Sequence, residues 1–211
     1  MILIACEESQ RVCCAFRKKG IEAFSCDLLP CGGGHPEWHI KGDVTKLLAG
    51  GCRFQTEDGK IHFVNEWKAI IAFPPCTYLS NAGANHLFKG HVLNEERYKK
   101  GLEGKAFFML FYNLSCPHCV ENPVSSKIYE MPKCSQEIEP WQFGNPVSKK
   151  TRLWIKGLPL LKPTYIVKPL HNCHEAYTWF TKGGKDRQIN RAKTFIEIAE
   201  AMADQWGEIL K

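Results

Sequence analysis

The chain has 211 residues, 44% of them hydrophobic, enough to bury one substantial core. Its 28 Lys and Arg against 22 Asp and Glu leave a formal charge of +6, an excess that suits a polyanionic partner without requiring one. No apolar stretch approaches the roughly 20 residues that cross a bilayer, and Met1-Ile2-Leu3-Ile4-Ala5 carries no basic leader, so a membrane protein is not expected and a cytoplasmic one is.

Ile2 to Cys6 is an apolar run of strand length, followed by polar Glu7-Glu8-Ser9-Gln10 and by Val12, Ala15 and Phe16 at helical spacing, stopping at Lys18-Lys19-Gly20. Ile21 to Cys26 predicts a second strand. Asp27 stands at its end, about twenty residues after the first loop, where a mononucleotide-binding α/β unit holds a ribose. A solvated strand-end carboxylate is an equally good reading on spacing alone. Leu28 to Lys41, with Gly32-Gly33-Gly34 between Cys31 and His35, predicts an irregular loop over the carboxyl edge of a sheet. Asp43 then brings a second carboxylate to that edge. Phe54 to Val64 alternates around Asp58-Gly59 and predicts a small hairpin, an insertion over about 52–66 in an otherwise single domain spanning 1–211.

Ala69 to Ser80 organises the rest. An apolar run that stops at Pro74-Pro75 reads as a buried strand, because proline gives no amide hydrogen to a ladder. Cys76 follows just past the strand's carboxyl end, on a loop that two prolines stiffen. Most of the eleven cysteines read as small buried hydrophobes and reduced thiols; this placement reads as chemistry. Asn81 to Gly90 is a flap over a site or a plain connection. Glu95 to Asn113 predicts a helix that packs Leu102, Ala106, Met109 and Leu110 on the sheet, with Gly101 and Gly104 as weak points. Cys119-Val120 leads to Glu121-Asn122-Pro123, a strand end that delivers Glu121 to the same edge as Cys76.

Met131 to Pro146 reads as loop, and Leu158 to Leu170 as strand with turns. Lys149-Lys150-Thr151-Arg152-Leu153-Trp154 mixes cations with large apolar side chains, which suits phosphate contacts or a solvated face. Ile189 to Leu210 predicts the closing helix on the steps Ile189, Ala192, Ile196, Ala199, Ala203, Trp206 and Leu210. Cys116-Pro-His-Cys119 has the spacing of half a zinc site, with Cys134, His171, Cys173 and His174 as other candidates. Cys119 falls where a strand should begin and the second half lacks a matching spacing, so no metal is expected.

With Pro74-Pro75-Cys76, Glu121-Asn122-Pro123 and Arg152 in that order, the chain resembles the cytosine-5 DNA methyltransferases, in the short form found in phages and prophages. The resemblance implies a Rossmann-like α/β methyltransferase fold with a central, mostly parallel sheet and flanking helices. It implies Cys76 as nucleophile, Glu121 as acid and Arg152 as the residue that steadies the target base. It further implies S-adenosylmethionine as cofactor, held by Ala5, Cys6, Glu7, Asp27, Leu28, Asp43, Val44 and Pro74. DNA, flipped out of a duplex or single-stranded, would meet Thr77, Ser80, Asn122, Lys149 and Lys150.

The chain departs from the pattern in three places. Ala5-Cys6-Glu7-Glu8-Ser9 stands where a glycine-rich turn is usual, and Thr77 where glutamine is. Only 35 positions run from Arg152 to Arg187, too few for a separate target-recognition domain. Two other enzymes are alternatives, the first a poorer fit to the motifs and the second favoured by the small size and the missing recognition domain. An amino-methyltransferase has a polar residue before Pro-Pro and an aromatic one after, where this chain has Phe73 and Cys76; the other acts on free deoxycytidine nucleotide. A non-catalytic nucleic-acid-binding protein with the same fold is the reading from outside enzymology.

Overall fold

The apolar run at the start is the middle strand of the parallel part of the sheet. In the computed structural model, which describes residues 1–84, 86–170 and 193–211, β1 (Ile2–Ala5) is followed by α1 (Arg11–Lys18), β2 (Ala23–Asp27) and β3 (His39–Lys41). The hairpin β4 (Cys52–Gln55) and β5 (Ile61–Val64) turns at Asp58-Gly59 and leads into β6 (Ile70–Ala72). Then come α2 (Asn81–Ala84), the two-residue strands β7 (Phe88–Lys89) and β8 (Val92–Leu93), and α3 (Glu95–Tyr112). The last elements are β9 (His118–Pro123), β10 (Gln136–Ile138), β11 (Thr151–Lys156) and α4 (Ile196–Leu210).

Seven strands form one mostly parallel sheet in the order β10-β11-β9-β6-β1-β2-β3. From β3 to β9 the pairings are all parallel, and β11 runs antiparallel to both β9 and β10. Parallel neighbours need crossovers that lay helices on the faces, so a central strand is buried on both sides and reads as an unbroken apolar run. All four residues of β1 are 0% exposed. On one face α1 and α4 bring Val12, Phe16, Met202 and Trp206 against Ile4, Ile71, Cys119 and Leu153. On the other, Phe108 and Phe111 of α3 pack with Leu3, Ile70, Val120 and Trp154, and the β4–β5 hairpin adds Phe54 and Val64.

Four sequence expectations are corrected. The face of α3 that packs on the sheet carries Gly101, Phe108 and Phe111, whereas Leu102 and Leu110 are 42% and 47% exposed. The helix is apolar around most of its second half, so periodicity left its orientation open, and the larger rings take the core. Gly101 marks a close approach: a Cβ there would lie 2.2 Å from the Tyr129 ring. Within the expected loop 131–146 lies the edge strand β10, three residues long with only Ile138 buried. Between 158 and 170 the chain forms no strand, only a single bridge from Phe143 to Tyr165. Finally, α4 starts at Ile196, because Phe195 is extended; Ile189 and Ala192 lie outside the described residues. Ala199, Ala203, Trp206 and Leu210 are buried, as their spacing requires. Among the described residues no helix is long and apolar enough to cross a membrane.

Gly101→Ala should lower stability to urea by about 1–2 kcal/mol, because overlap with the Tyr129 ring outweighs the gain in helix propensity. Leu110→Ala, on the exposed side, should change it by less than about 1 kcal/mol.

Candidate functional site

From β1 the chain builds outward to β2 and β3, then returns to the other side of β1 with β6 and β9. The order therefore reverses between β1 and β6, and in open α/β sheets ligands bind outside the carboxyl ends at such a point. Two segments meet there, Cys6-Glu7 from β1 and Phe73 to Cys76 from β6, and the amide of Phe73 donates to the Ala5 carbonyl at 2.9 Å. Pro74 is buried, Pro75 exposed and Cys76 half-buried. The Cys76 carbonyl accepts from the amides of Leu79 and Ser80 at 3.1 and 2.9 Å, so the cysteine opens a helical turn.

The turn is fastened to the end of β9. Asn122 is fully buried and its Nδ2 donates to the Pro74 carbonyl at 3.4 Å, while its Oδ1 is buried and finds no partner among the described residues. The amide of Asn81 donates to the Val124 carbonyl at 2.9 Å and that of Ser126 to Leu79 at 2.8 Å. Ser80 bridges to Ser125. Its hydroxyl accepts from the Gly83 amide at 3.1 Å, so this residue braces the turn; Thr77 is exposed. The Pro-Pro-Cys and Glu-Asn-Pro segments thus form one joined unit.

Glu121 points to the α4 side of the sheet. With Phe73, Lys149, Thr151 and Lys193 it lines a cavity of about 20 Å³, room for a single water. Burial raises its carboxyl pKa and the Lys149 cation opposes the rise. Lys149 also lies 5.7 Å from the Phe195 ring centre. Arg152 does not join this group. It is paired with Glu137 of β10 (Nε to Oε1, 2.9 Å), and Lys150 takes the other oxygen of the same carboxylate at 3.3 Å. Register explains the separation: Leu153 is opposite Glu121, and Arg152 is opposite Asn122, one residue on and facing the other way.

At the β1 side, Cys6 adopts a left-handed φ of 59°. Its thiol pKa is raised, first by burial and then by Asp27, Cys26 and Asp43, so both carboxylates expected from the sequence gather near it. Glu7 is committed internally. Its two oxygens accept from the amides of Val12 at 2.7 Å and Cys13 at 3.2 Å, capping α1. Burial nonetheless pushes its pKa up to about 7. Asp27 accepts from the Leu29 amide at 2.9 Å and remains half-exposed, beside Leu28, which is 74% exposed. Asp43 accepts from the amide and hydroxyl of Thr45, which lowers its pKa; Val44 next to it is buried.

Gln10 is the organising residue that the sequence did not reveal. Fully buried, it donates to Ser25 Oγ (3.2 Å) and the His35 carbonyl (2.9 Å) and accepts from the His35 amide (3.1 Å) and the Cys31 thiol (2.9 Å). His39 Nε2 donates to the Leu29 carbonyl at 3.0 Å, so its Nδ1 accepts from Ser25 at 2.9 Å. A Cβ on Gly33 would lie 2.5 Å from Gln10 Cβ, which is why glycine stands there. No motif marks a glutamine for this role. Among the described residues no three His, Cys, Asp or Glu are placed to hold a metal; His171, Cys173, His174 and Arg187 lie outside them. His118 Nδ1 donates to the Cys116 carbonyl at 2.8 Å.

No protein-family model matches the chain, and no curated protein matches it.

Because the folded state holds the Glu7 proton more tightly than a free carboxyl of 4.5, its contribution to stability is full below 4.5 and is lost as pH rises through about 7. Glu7→Gln should remove this component, roughly 3 kcal/mol across that window, in urea unfolding curves compared at about pH 5 and about pH 8. An unchanged pH slope would show that Glu7 does not hold the proton.

Proposed function

We propose that the protein is an S-adenosylmethionine-dependent methyltransferase acting on C5 of cytosine in DNA through a covalent bond from Cys76 to C6. One observation carries the reading: the Pro-Pro-Cys turn sits at the sheet's reversal point and is joined through Asn122 to the strand end that presents Glu121. The sheet supports the Rossmann-like methyltransferase fold, with one reversed strand, β11, set between β9 and β10 next to the edge.

The residues at the β1 side fit the cofactor by the chemistry of their groups. A half-exposed carboxylate, Asp27, suits a ribose diol, and the exposed Leu28 beside it suits the face of a purine. Asp43 and Val44 stand at the neighbouring strand end. Glu7, engaged with α1, shapes the loop from beneath. S-adenosylmethionine, when bound, supplies an electrophilic methyl group.

Cytosine is a poor nucleophile at C5. Addition of the Cys76 thiolate to C6 converts the ring to an enamine whose C5 is nucleophilic. Glu121, whose pKa burial raises, is placed to act in its acid form, donating a proton toward N3 and so neutralising the charge that develops there. After substitution at C5, loss of the C5 proton to solvent, expulsion of the thiolate and return of the N3 proton to Glu121 restore the aromatic base and the acid. A stacked base hides C6, so a duplex substrate must be flipped, whereas a single strand need not be.

With S-adenosylmethionine present, DNA containing 5-fluorocytosine should form a stable adduct with the protein, seen as a mass shift, because fluorine at a methylated C5 cannot leave as the proton does; Cys76→Ser should abolish it. A Cys76→Ser protein that methylated at the wild-type rate would overturn the mechanism. For Glu121, activity should fall as pH rises through its raised pKa, since the acid form is the donor. Glu121→Gln should lose about 10²-fold or more in kcat and the pH-dependent limb with it.

A further inference from the structure

Beyond Cys76 the chain encloses a second cleft, on the side away from β1. Its volume is about 260 Å³ and its walls include Tyr78, His86, Phe88, Glu96, Arg97 and Lys100. Tyr78 is two residues past the cysteine, Phe88 stands on the short β7–β8 hairpin, and Arg97 and Lys100 project from the first turns of α3.

The cleft pairs aromatic surface with positive charge. Arg97 Cζ lies 5.0 Å and Lys100 Nζ 5.9 Å from the Tyr78 ring centre, so two cations share one ring. Lys100 is neutralised by Glu96 at 2.6 Å. Arg97 is not: Nε and Nη2 donate to the Gly83 carbonyl at 3.2 and 2.9 Å, and among the described residues no carboxylate pairs with it. A half-buried guanidinium held by a neutral carbonyl keeps its full charge for an incoming anion, and its planar fork matches phosphate. Phe88 is 47% exposed on a hairpin that contributes nothing to the main sheet. An aromatic ring with an open face is a stacking platform for a base.

We propose that this cleft binds one nucleotide of the substrate strand, next to the cytosine at Cys76, with its phosphate on Arg97 and its base against Phe88. The volume suits this occupant, one ring system and one phosphate, and falls below the 300 Å³ or so from which pockets for larger ligands start. The site deepens the methyltransferase reading and rests on it for the identity of the strand. A chain with only 35 positions between Arg152 and Arg187 gains here a place to grip its substrate.

The test is fluorescence anisotropy with a short, labelled, single-stranded oligodeoxycytidylate, and competition by dCMP. Phe88→Ala should weaken oligonucleotide binding about tenfold, as loss of one stacked base does. Arg97→Gln should weaken it similarly and reduce the slope of log affinity against log salt by about 0.7, the share of one phosphate contact on a single strand. Thermal unfolding checks that Arg97→Gln, which also loses its bond to Gly83, remains folded; Phe88→Ala removes no core contact and keeps the test valid if it does not. Oligonucleotide binding at least about tenfold tighter than dCMP identifies a strand, and equal binding a free nucleotide, with both variants impaired in either case. If both variants bind oligonucleotide and dCMP as the wild type does, the cleft is not the site. Cofactor binding by calorimetry is read separately. Its absence with intact effects of Phe88 and Arg97 would remove the methyltransferase reading and leave the cleft, and the reverse pattern would remove the cleft alone.

Discussion

A strand buried on both faces has no solvent side, and that constraint on β1 sets the rest of the molecule. Its neighbours β2 and β6 both run parallel to it, so each connection must cross a face and every parallel strand ends at the same edge. Chemistry-bearing residues separated by more than a hundred positions therefore arrive together without any local signal that they belong together. Cys6, Asp27, Cys76 and Glu121 share an edge because β1, β2, β6 and β9 share a direction.

What the sequence revealed follows from this. Buried parallel strands are short apolar runs that stop at polar or proline residues, and Ile2–Ala5, Ala23–Asp27 and Ile70–Ala72 were readable for that reason. So were the carboxyl-edge positions of Asp27, Cys76 and Glu121. What stayed hidden depends on which way a side chain faces or on bonds between distant loops. Strand alternation parts Arg152 from Glu121, although both stand on neighbouring strands at the same edge. The aromatic face of α3 won over the leucines because its second half offers apolar residues in nearly every direction. Gln10 gathers the glycine loop through five contacts of its own amide and its neighbours, and a lone glutamine has no pattern.

Rigidity and charge are distributed differently around the edge. The Cys76 turn is restrained at Pro74, Leu79, Ser80 and Asn81 by the β9 end, which limits the conformations a nucleophile there can sample. The glycine loop is restrained from below by Gln10 and Ser25. The β7–β8 hairpin, in contrast, pairs only with itself among the described residues, and Phe88 and Val92 are exposed on it. Elements that pack on few neighbours open at low free energy, so the hairpin is the part of this edge most able to yield.

The clamp of Glu137 on Lys150 and Arg152 bears on how the net charge of +6 is felt from outside. A phosphate arriving at that pair exchanges places with a carboxylate already seated, so one anion replaces another and few counterions are released. Glu137 cancels one of the two charges, so the pair adds one positive charge rather than two to any attraction for polyanions. All three side chains are partly exposed, so the clamp itself loosens as salt rises and the masking fades with it.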